Sequence, residues 1–207
     1  MLVIAVPVFV FLTSQVDAGG AVTRFDREVS AQLEEQGRSA PLAVTFFRVL
    51  TFLGGTLFLT ALTLAVVGLL ARRRESQLAL ALALTSAGGS LLNWIVKELV
   101  RRPRPEFAAP LVDESSWSFP SGHSMGSIVI YGMLAYVLVV GFSLGRGRLA
   151  VLIGLALLVL GIGCSRVYLG AHWPSDVAGG FAGGAAWLAC CIWATERTRR
   201  RFQVKTV

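Results

Sequence analysis

"SFPSGHSMGSIVIYGMLAYVLVVGF", residues 118–142, opens on a cluster of proline, serine, glycine and histidine and then runs apolar to Phe142. A helix needs roughly 20 apolar residues to cross a hydrocarbon core, and the run from Gly122 supplies that length. It shows none of the two-residue alternation of a membrane barrel strand, so the stretch reads as a membrane helix with a polar mouth. The whole chain agrees: 55% of its 207 residues are hydrophobic and 15% charged. With a mean hydropathy of +0.68, that balance excludes an ordinary soluble domain.

Working outward, six spans emerge: Leu2 to Val16, Ala43 to Leu70, Leu78 to Val96, Gly122 to Phe142, Leu149 to Cys164 and Val177 to Ala194. The expected fold is all-α, an integral membrane bundle of six transmembrane helices forming one domain over residues 1–207. The first span is short and ends in "VDAGG", with Val16 and Ala18 where a signal peptidase could cut, so a cleaved signal peptide competes with a retained helix. No basic segment precedes it, which favours the helix.

The net charge of +7 raises the question of nucleic acid, and its location answers it. Arg72, Arg73 and Arg74 follow span two, Arg146 and Arg148 separate spans four and five, and Arg197, Arg199, Arg200, Arg201 and Lys205 close the chain in a basic tail, residues 195–207. Alternating spans put all of them on one side, which the positive-inside rule makes cytoplasmic. The basic charge is a topology signal, compatible with a tail that touches the anionic headgroups of the bilayer, and no nucleic acid is expected as partner.

The opposite side carries an amphipathic loop, residues 17–41, a second loop, residues 97–121, and a short turn from Arg166 to Asp176. Lys97, Arg101, Arg102, Arg104 and Arg166 lie there against the charge trend, so an anion is expected. In "KELVRRPRP", Lys97 and Arg104 stand seven residues apart, on one side of a helix if it persists, while Pro103 and Pro105 end it. "PSGH" begins span four, where unpaired N–H groups and the helix dipole favour phosphate, and Gly122 lets that backbone come close. "SRVYLGAHWPSD" supplies Ser165, Arg166, His172 and Asp176. Pro174 suits the first turn of span six, so Asp176 can reach back to the imidazole, fix its tautomer and leave the other ring nitrogen free to attack. His123 and His172 are the two histidines of the chain, and they fall on this same side.

These residues resemble the type 2 phosphatidic acid phosphatase superfamily, the lipid phosphate phosphatases. Its signature is lysine, six residues, Arg-Pro; then Pro-Ser-Gly-His; then Ser-Arg, five residues, His, three residues, Asp. Lys97 with Arg104 and Pro105, Pro120 to His123, and Ser165, Arg166, His172 and Asp176 match it without departure. The resemblance implies a phosphatase that needs no metal and no cofactor and works through a phosphohistidine. In that scheme His172 attacks phosphorus, Asp176 orients it, and His123 protonates the leaving oxygen. Lys97, Arg104, Ser121, Gly122 and Arg166 hold the phosphoryl oxygens.

Other residues carry plainer readings. Arg101 and Arg102 could bind a second phosphate, but solvated or interfacial charge is the favoured reading. Ser165 and Glu114 are accessory candidates, and Glu114, Trp117 and Phe119 could shape a lipid entrance. The glycine pairs in spans three and six read as close helix packing. Cys164, Cys190 and Cys191 lie in apolar spans and read as small buried side chains with no zinc or disulfide spacing.

The substrate that the resemblance implies is a phosphorylated bacterial lipid whose tail stays in the bilayer, with undecaprenyl pyrophosphate slightly ahead of phosphatidylglycerol phosphate. The site is expected on the extracytoplasmic face of the cytoplasmic membrane. A phosphotransferase using the same site, and a non-catalytic lipid-binding or transport protein, are the alternatives.

Overall fold

The computed structural model describes residues 2–16, 19–38, 40–106, 116–141 and 147–205, and their regular structure is helical. Eight helices follow in order: α1 (Leu2–Gln15), α2 (Ala21–Arg38), α3 (Pro41–Leu53), α4 (Thr56–Arg72), α5 (Ser76–Val100), α6 (Gly122–Gly141), α7 (Arg148–Tyr168) and α8 (Pro174–Lys205). Helices satisfy every internal backbone polar group within the segment, which lipid requires of anything that crosses it. α5, α6, α7 and the first 28 residues of α8 are each long and apolar enough to span.

The apolar run from Gly122 becomes the central helix. α6 packs against α4, α5, α7 and α8, and Met125, Val129, Ile130, Met133 and Val137 along it are buried. Two core clusters share this axis. Leu59, Val159 and Ile162 meet α6 near the polar mouth, and Leu70, Leu78, Leu82 and Leu188 meet it near the opposite end. Leu57, Leu64, Leu80, Leu84, Leu157 and Leu160 instead face outward, as expected where the solvent is hydrocarbon.

The first two spans of the six-span expectation differ in detail. Ala43 to Leu70 is not one straight helix: α3 ends at Leu53 with Gly54 as its cap, α4 starts at Thr56, and their axes meet at 43°. Close packing explains the break, because a Cβ at Gly54 would lie 2.3 Å from Ile162 Cγ2 and 3.4 Å from His123 Cδ2. The first span is a 14-residue helix, about 21 Å long at about 1.5 Å per residue, against a hydrocarbon core of about 30 Å. α1 packs along α8, and its Phe9 reaches Phe119, with ring centroids 6.0 Å apart.

The outer loop, residues 17–41, folds largely into the amphipathic α2, as its pattern suggests, although Asp26 and Ser30 are buried. The basic tail continues α8 as helix to Lys205. Glycines 88, 89, 180 and 184 sit at close helix contacts, and at Gly180 an added Cβ would lie 2.7 Å from the Ser121 carbonyl oxygen on α6's entry turn. Two expectations fail on burial. Cys164 and Cys190 are exposed on the bundle surface and Cys191 is half-buried, because α7 and α8 each turn a face to lipid. Phe119 is fully buried beneath α1 and α8, so it does not form an entrance.

Candidate active site

The turn between α7 and α8 places His172. The Arg166 carbonyl accepts hydrogen bonds from the Ala171 and His172 N–H groups at 3.0 and 3.2 Å, and Gly170 takes the left-handed conformation, φ +72°, that such a tight reversal needs. Pro174 then starts α8, where its missing N–H is harmless. Asp176 reaches back in a capping arrangement, its Oδ2 accepting the Trp173 N–H at 2.9 Å.

That same oxygen lies 3.5 Å from His172 Nδ1. Ser118 Oγ donates to it as well and sits 3.4 Å from Nδ1. With the Ser118 proton turned toward Asp176, the acceptors around Nδ1 favour the Nδ1–H tautomer and leave Nε2 as the acceptor nitrogen, facing the Arg104 guanidinium. Nε2 is 3.2 Å from Arg104 Nη1. Burial, together with the Arg104 and Arg166 charges, lowers the His172 pKa to about 3 against the opposing pull of Asp176. The ring is therefore neutral at physiological pH, the form that can attack an electrophile.

Lys97 and Arg104 converge from one segment although the helix between them stops. α5 ends at Val100, and Arg101 caps it in the left-handed conformation, φ 49°. The extended chain through Pro103 then carries Arg104 to the site. Arg104 donates to the Ala171 carbonyl at 2.6 Å and the Ser116 carbonyl at 2.7 Å, and Lys97 donates to the Trp117 carbonyl. Both cations are thus anchored by backbone oxygens at the rim.

A cavity of about 420 Å³ opens beside these groups, and Lys97, Arg104, Gly122, His123 and His172 line it. It continues between α4, α5 and α6 along Thr56, Thr60, Ser86, Ser90 and Asn93, a polar wall that is expensive in a membrane bundle unless something polar uses it. Asn93 stands one helical turn before Lys97, and its Nδ2 would be 3.3 Å from a Cβ at Gly122. Its buried Oδ1 has no hydrogen-bond partner among the described residues. Among the described residues, no three His, Cys, Asp or Glu side chains cluster as metal ligands.

The remaining candidates are placed differently. Arg166 is buried and donates to Thr51 Oγ1 at 2.6 Å, close enough for its charge to act on His172. Ser121 is fully buried outside the cavity lining. Its N–H donates to the Asp176 carbonyl at 3.0 Å, and its Oγ accepts from Ser124 Oγ at 3.0 Å, so it joins α6 to α8. Ser165 Oγ donates to the Ile162 carbonyl within its own helix and does not reach the cavity.

Arg101 is exposed beside Glu98. Arg102, favoured above as a solvated charge, is instead buried between Asp26 and Asp176, and those partners take the guanidinium that a second phosphate would need. Glu114 lies outside the described residues. Ser118, Asn93 and Asp26 are the site neighbours that the sequence reading missed. Ser118 adjoins "PSGH" and Asn93 shares a face with Lys97, so spacing could have found them; nothing local marks Asp26.

The three motifs therefore meet at one cavity mouth, and the family model that covers them is that of the PAP2 superfamily, over residues 74–200. The chain belongs to the PAP2 superfamily. A PAP2 relative, phosphatidylglycerophosphatase B of Bacillus subtilis, is 40% identical over 136 residues, covering 65% of this chain and 66% of that protein. Decaprenylphosphoryl-5-phosphoribose phosphatase of Mycobacterium tuberculosis is 38% identical over 130 residues, covering 60% and 65%. The chain thus spans just under two thirds of the length of these curated relatives.

The crystal structure of a transmembrane PAP2 type phosphatidylglycerolphosphate phosphatase from Bacillus subtilis is similar over 93% of this chain and 96% of that one, with a TM-score of 0.81 and 34% identity. The protein is a multi-pass membrane protein of this helical PAP2 fold.

Proposed function

We propose that the chain, as one domain over residues 1–207, is a metal-independent phosphatase that hydrolyses the phosphate or pyrophosphate headgroup of a membrane lipid through a phosphohistidine. The observation that carries this reading is the His172 ring, neutral, oriented at Nδ1 by Asp176 and Ser118, and directed at Nε2 toward Arg104 on the wall of the cavity that His123 also lines. Binding alone needs no oriented nucleophile.

In the proposed reaction Nε2 of His172 attacks phosphorus as the bond to the lipid oxygen breaks, and His123 gives that oxygen its proton. Water then attacks the phosphohistidine, returns a proton to His123 and releases inorganic phosphate. Lys97, Arg104 and the Gly122 backbone at the N-terminus of α6 hold the phosphoryl oxygens, and Arg166 adds positive potential from behind. The basic ends of α4 and α8 lie opposite this mouth, which supports an extracytoplasmic site in a bacterial cytoplasmic membrane.

Phosphatidylglycerol phosphate comes first as substrate, on the likeness to the Bacillus subtilis phosphatase, with undecaprenyl pyrophosphate second, on the likeness to a putative undecaprenyl-diphosphatase of Escherichia coli, 33% identical over 133 residues. The test is phosphate release by purified protein in detergent with chelator, offered phosphatidylglycerol phosphate, undecaprenyl pyrophosphate and phosphatidic acid. Wild type is expected to release phosphate and His172→Ala none. Turnover by His172→Ala would overturn the mechanism, and release only with an added acceptor would make the protein a phosphotransferase.

A further inference from the structure

We propose that Asp26, on the surface helix α2, is a positioning residue for the His172–Asp176 pair, acting through Arg102 and Ser175. The inference rests on the phosphatase reading above. It concerns a residue outside the matched family segment, which begins at residue 74.

α2 carries a mixed set of charges, most of them in solvent, yet Asp26 is 0% exposed. A carboxylate is buried at this depth only with partners that replace water. Asp26 Oδ1 accepts the Ser175 N–H at 2.9 Å, which satisfies one of the open donors in the first turn of α8. Oδ2 accepts from Ser175 Oγ at 2.5 Å and from Arg102 Nη2 at 2.7 Å.

Arg102, 3% exposed, gives its other fork nitrogen, Nη1, to Asp176 Oδ1 at 2.5 Å and to Ser175 Oγ at 2.7 Å. One planar guanidinium therefore spans two buried carboxylates, and its rigid fork sets the position of the second by that of the first. The Arg102 guanidinium also lies 5.6 Å from the Trp173 ring centroid, and Trp173 Nε1 donates to the Pro103 carbonyl at 3.0 Å, so the segment as a whole is held against the His172 turn.

The charges make the arrangement more than a tether. Two carboxylates and one guanidinium leave one formal negative charge on the Asp176 side of His172, against the Arg104 and Arg166 charges that also reach the ring, and that charge supports the ring as it becomes positive during attack. Without Asp26, Arg102 and Asp176 would form a neutral pair, the guanidinium would lean wholly on Asp176, and support for the positive ring would fall. Asp26 lines no part of the cavity, so its effect belongs on turnover and not on substrate binding.

The experiment compares wild type, Asp26→Asn, Asp26→Glu, Ser175→Ala and His172→Ala in detergent, with phosphatidylglycerol phosphate in mixed micelles. kcat and KM are measured on protein shown to be folded at the assay temperature by thermal unfolding. The outer partners that orient metal-ligating histidines are worth about 10–100-fold, and the same scale is taken for this metal-free pair. Asp26→Asn is thus expected to lower kcat about tenfold or more with KM within about twofold, and Asp26→Glu to recover most of the loss.

Ser175→Ala keeps both charges and loosens only the bridge, so it is expected to lower kcat about threefold, a loss of about 0.6 kcal/mol. Wild-type kcat in folded Asp26→Asn, or a change in KM alone, overturns the proposal. If Asp26→Asn does not fold, Ser175→Ala decides: a reduced kcat at unchanged KM supports the proposal and wild-type kcat overturns it. Full activity of His172→Ala, or no turnover by wild type, sinks the phosphatase reading itself, whatever Asp26 does.

Discussion

Replacing Asp176 by asparagine keeps the shape of the side chain and changes only what its two terminal atoms can do. In the structure Oδ1 accepts from Arg102 Nη1 at 2.5 Å, and Oδ2 accepts from the Trp173 N–H at 2.9 Å and from Ser118 Oγ, with His172 Nδ1 3.5 Å away. A carboxylate is acceptor-only, whereas an amide brings one oxygen and one NH₂ group. If the NH₂ takes the place of Oδ1, it meets the Arg102 N–H groups head-on and the fork must swing away. If it takes the place of Oδ2, it opposes the Trp173 N–H and favours the His172 tautomer that carries its proton on Nε2, which removes the lone pair proposed to attack.

Both orientations also delete the negative charge that would support the ring in the proposed attack. Loss of the orienting carboxylate in the analogous histidine–aspartate arrangement of hydrolases lowers kcat by about 10⁴. A loss of about 10³–10⁴ in kcat is expected here, or about 4–5 kcal/mol of barrier. KM should stay near wild type because Asp176 does not line the cavity. The assay is rapid-quench single turnover on labelled lipid phosphate, reading both phosphohistidine formation and phosphate release, on protein shown to be folded by thermal unfolding. A folded Asp176→Asn enzyme with kcat within about tenfold of wild type would refute the role given to this carboxylate.

Three further outcomes are expected. Gly180→Ala should destabilise the protein by about 1–3 kcal/mol, since its Cβ would meet the Ser121 carbonyl at 2.7 Å and Ser124 Cβ at 2.9 Å; an unchanged unfolding temperature in detergent would show that α6 and α8 can give way there. Asn93→Ala should raise KM severalfold while leaving the unfolding temperature near wild type, because the buried Oδ1 has no hydrogen bond to lose among the described residues; equal KM values would remove Asn93 from the substrate wall. In a background lacking Cys164, Cys190 and Cys191, Arg101→Cys should react with a membrane-impermeant thiol reagent on intact cells and Arg200→Cys only after permeabilisation, both side chains being exposed. The reverse pattern would invert the topology.

Much of this architecture is written in local patterns. A run of apolar residues long enough for a bilayer identifies α5, α6, α7 and α8 without reference to any neighbour, since each spanning helix must satisfy its own backbone. The arginines at the C-terminal ends of α4 and α8 sort the ends in the same way. The spacing from Lys97 to Arg104, the "PSGH" turn and the five residues from Arg166 to His172 are equally local, and the structure brings Lys97, Arg104, Gly122, His123 and His172 to one cavity.

What the tertiary structure alone decided are matters of packing between distant segments. The bend at Gly54 follows from the approach of Ile162 and His123, residues separated from it by three and two helices in the chain. Hydropathy gives no sign of it because both halves are equally apolar. Whether Arg102 meets water or carboxylates, and whether Cys164 faces lipid or core, depends on which helix face is covered; composition cannot rank those faces when lipid and core are both greasy. Asp26 is the sharpest case. On α2 it is one charge among several on an amphipathic pattern, and only the docking of that helix against Ser175 and Arg102 makes it a buried partner of the candidate nucleophile's own orienter.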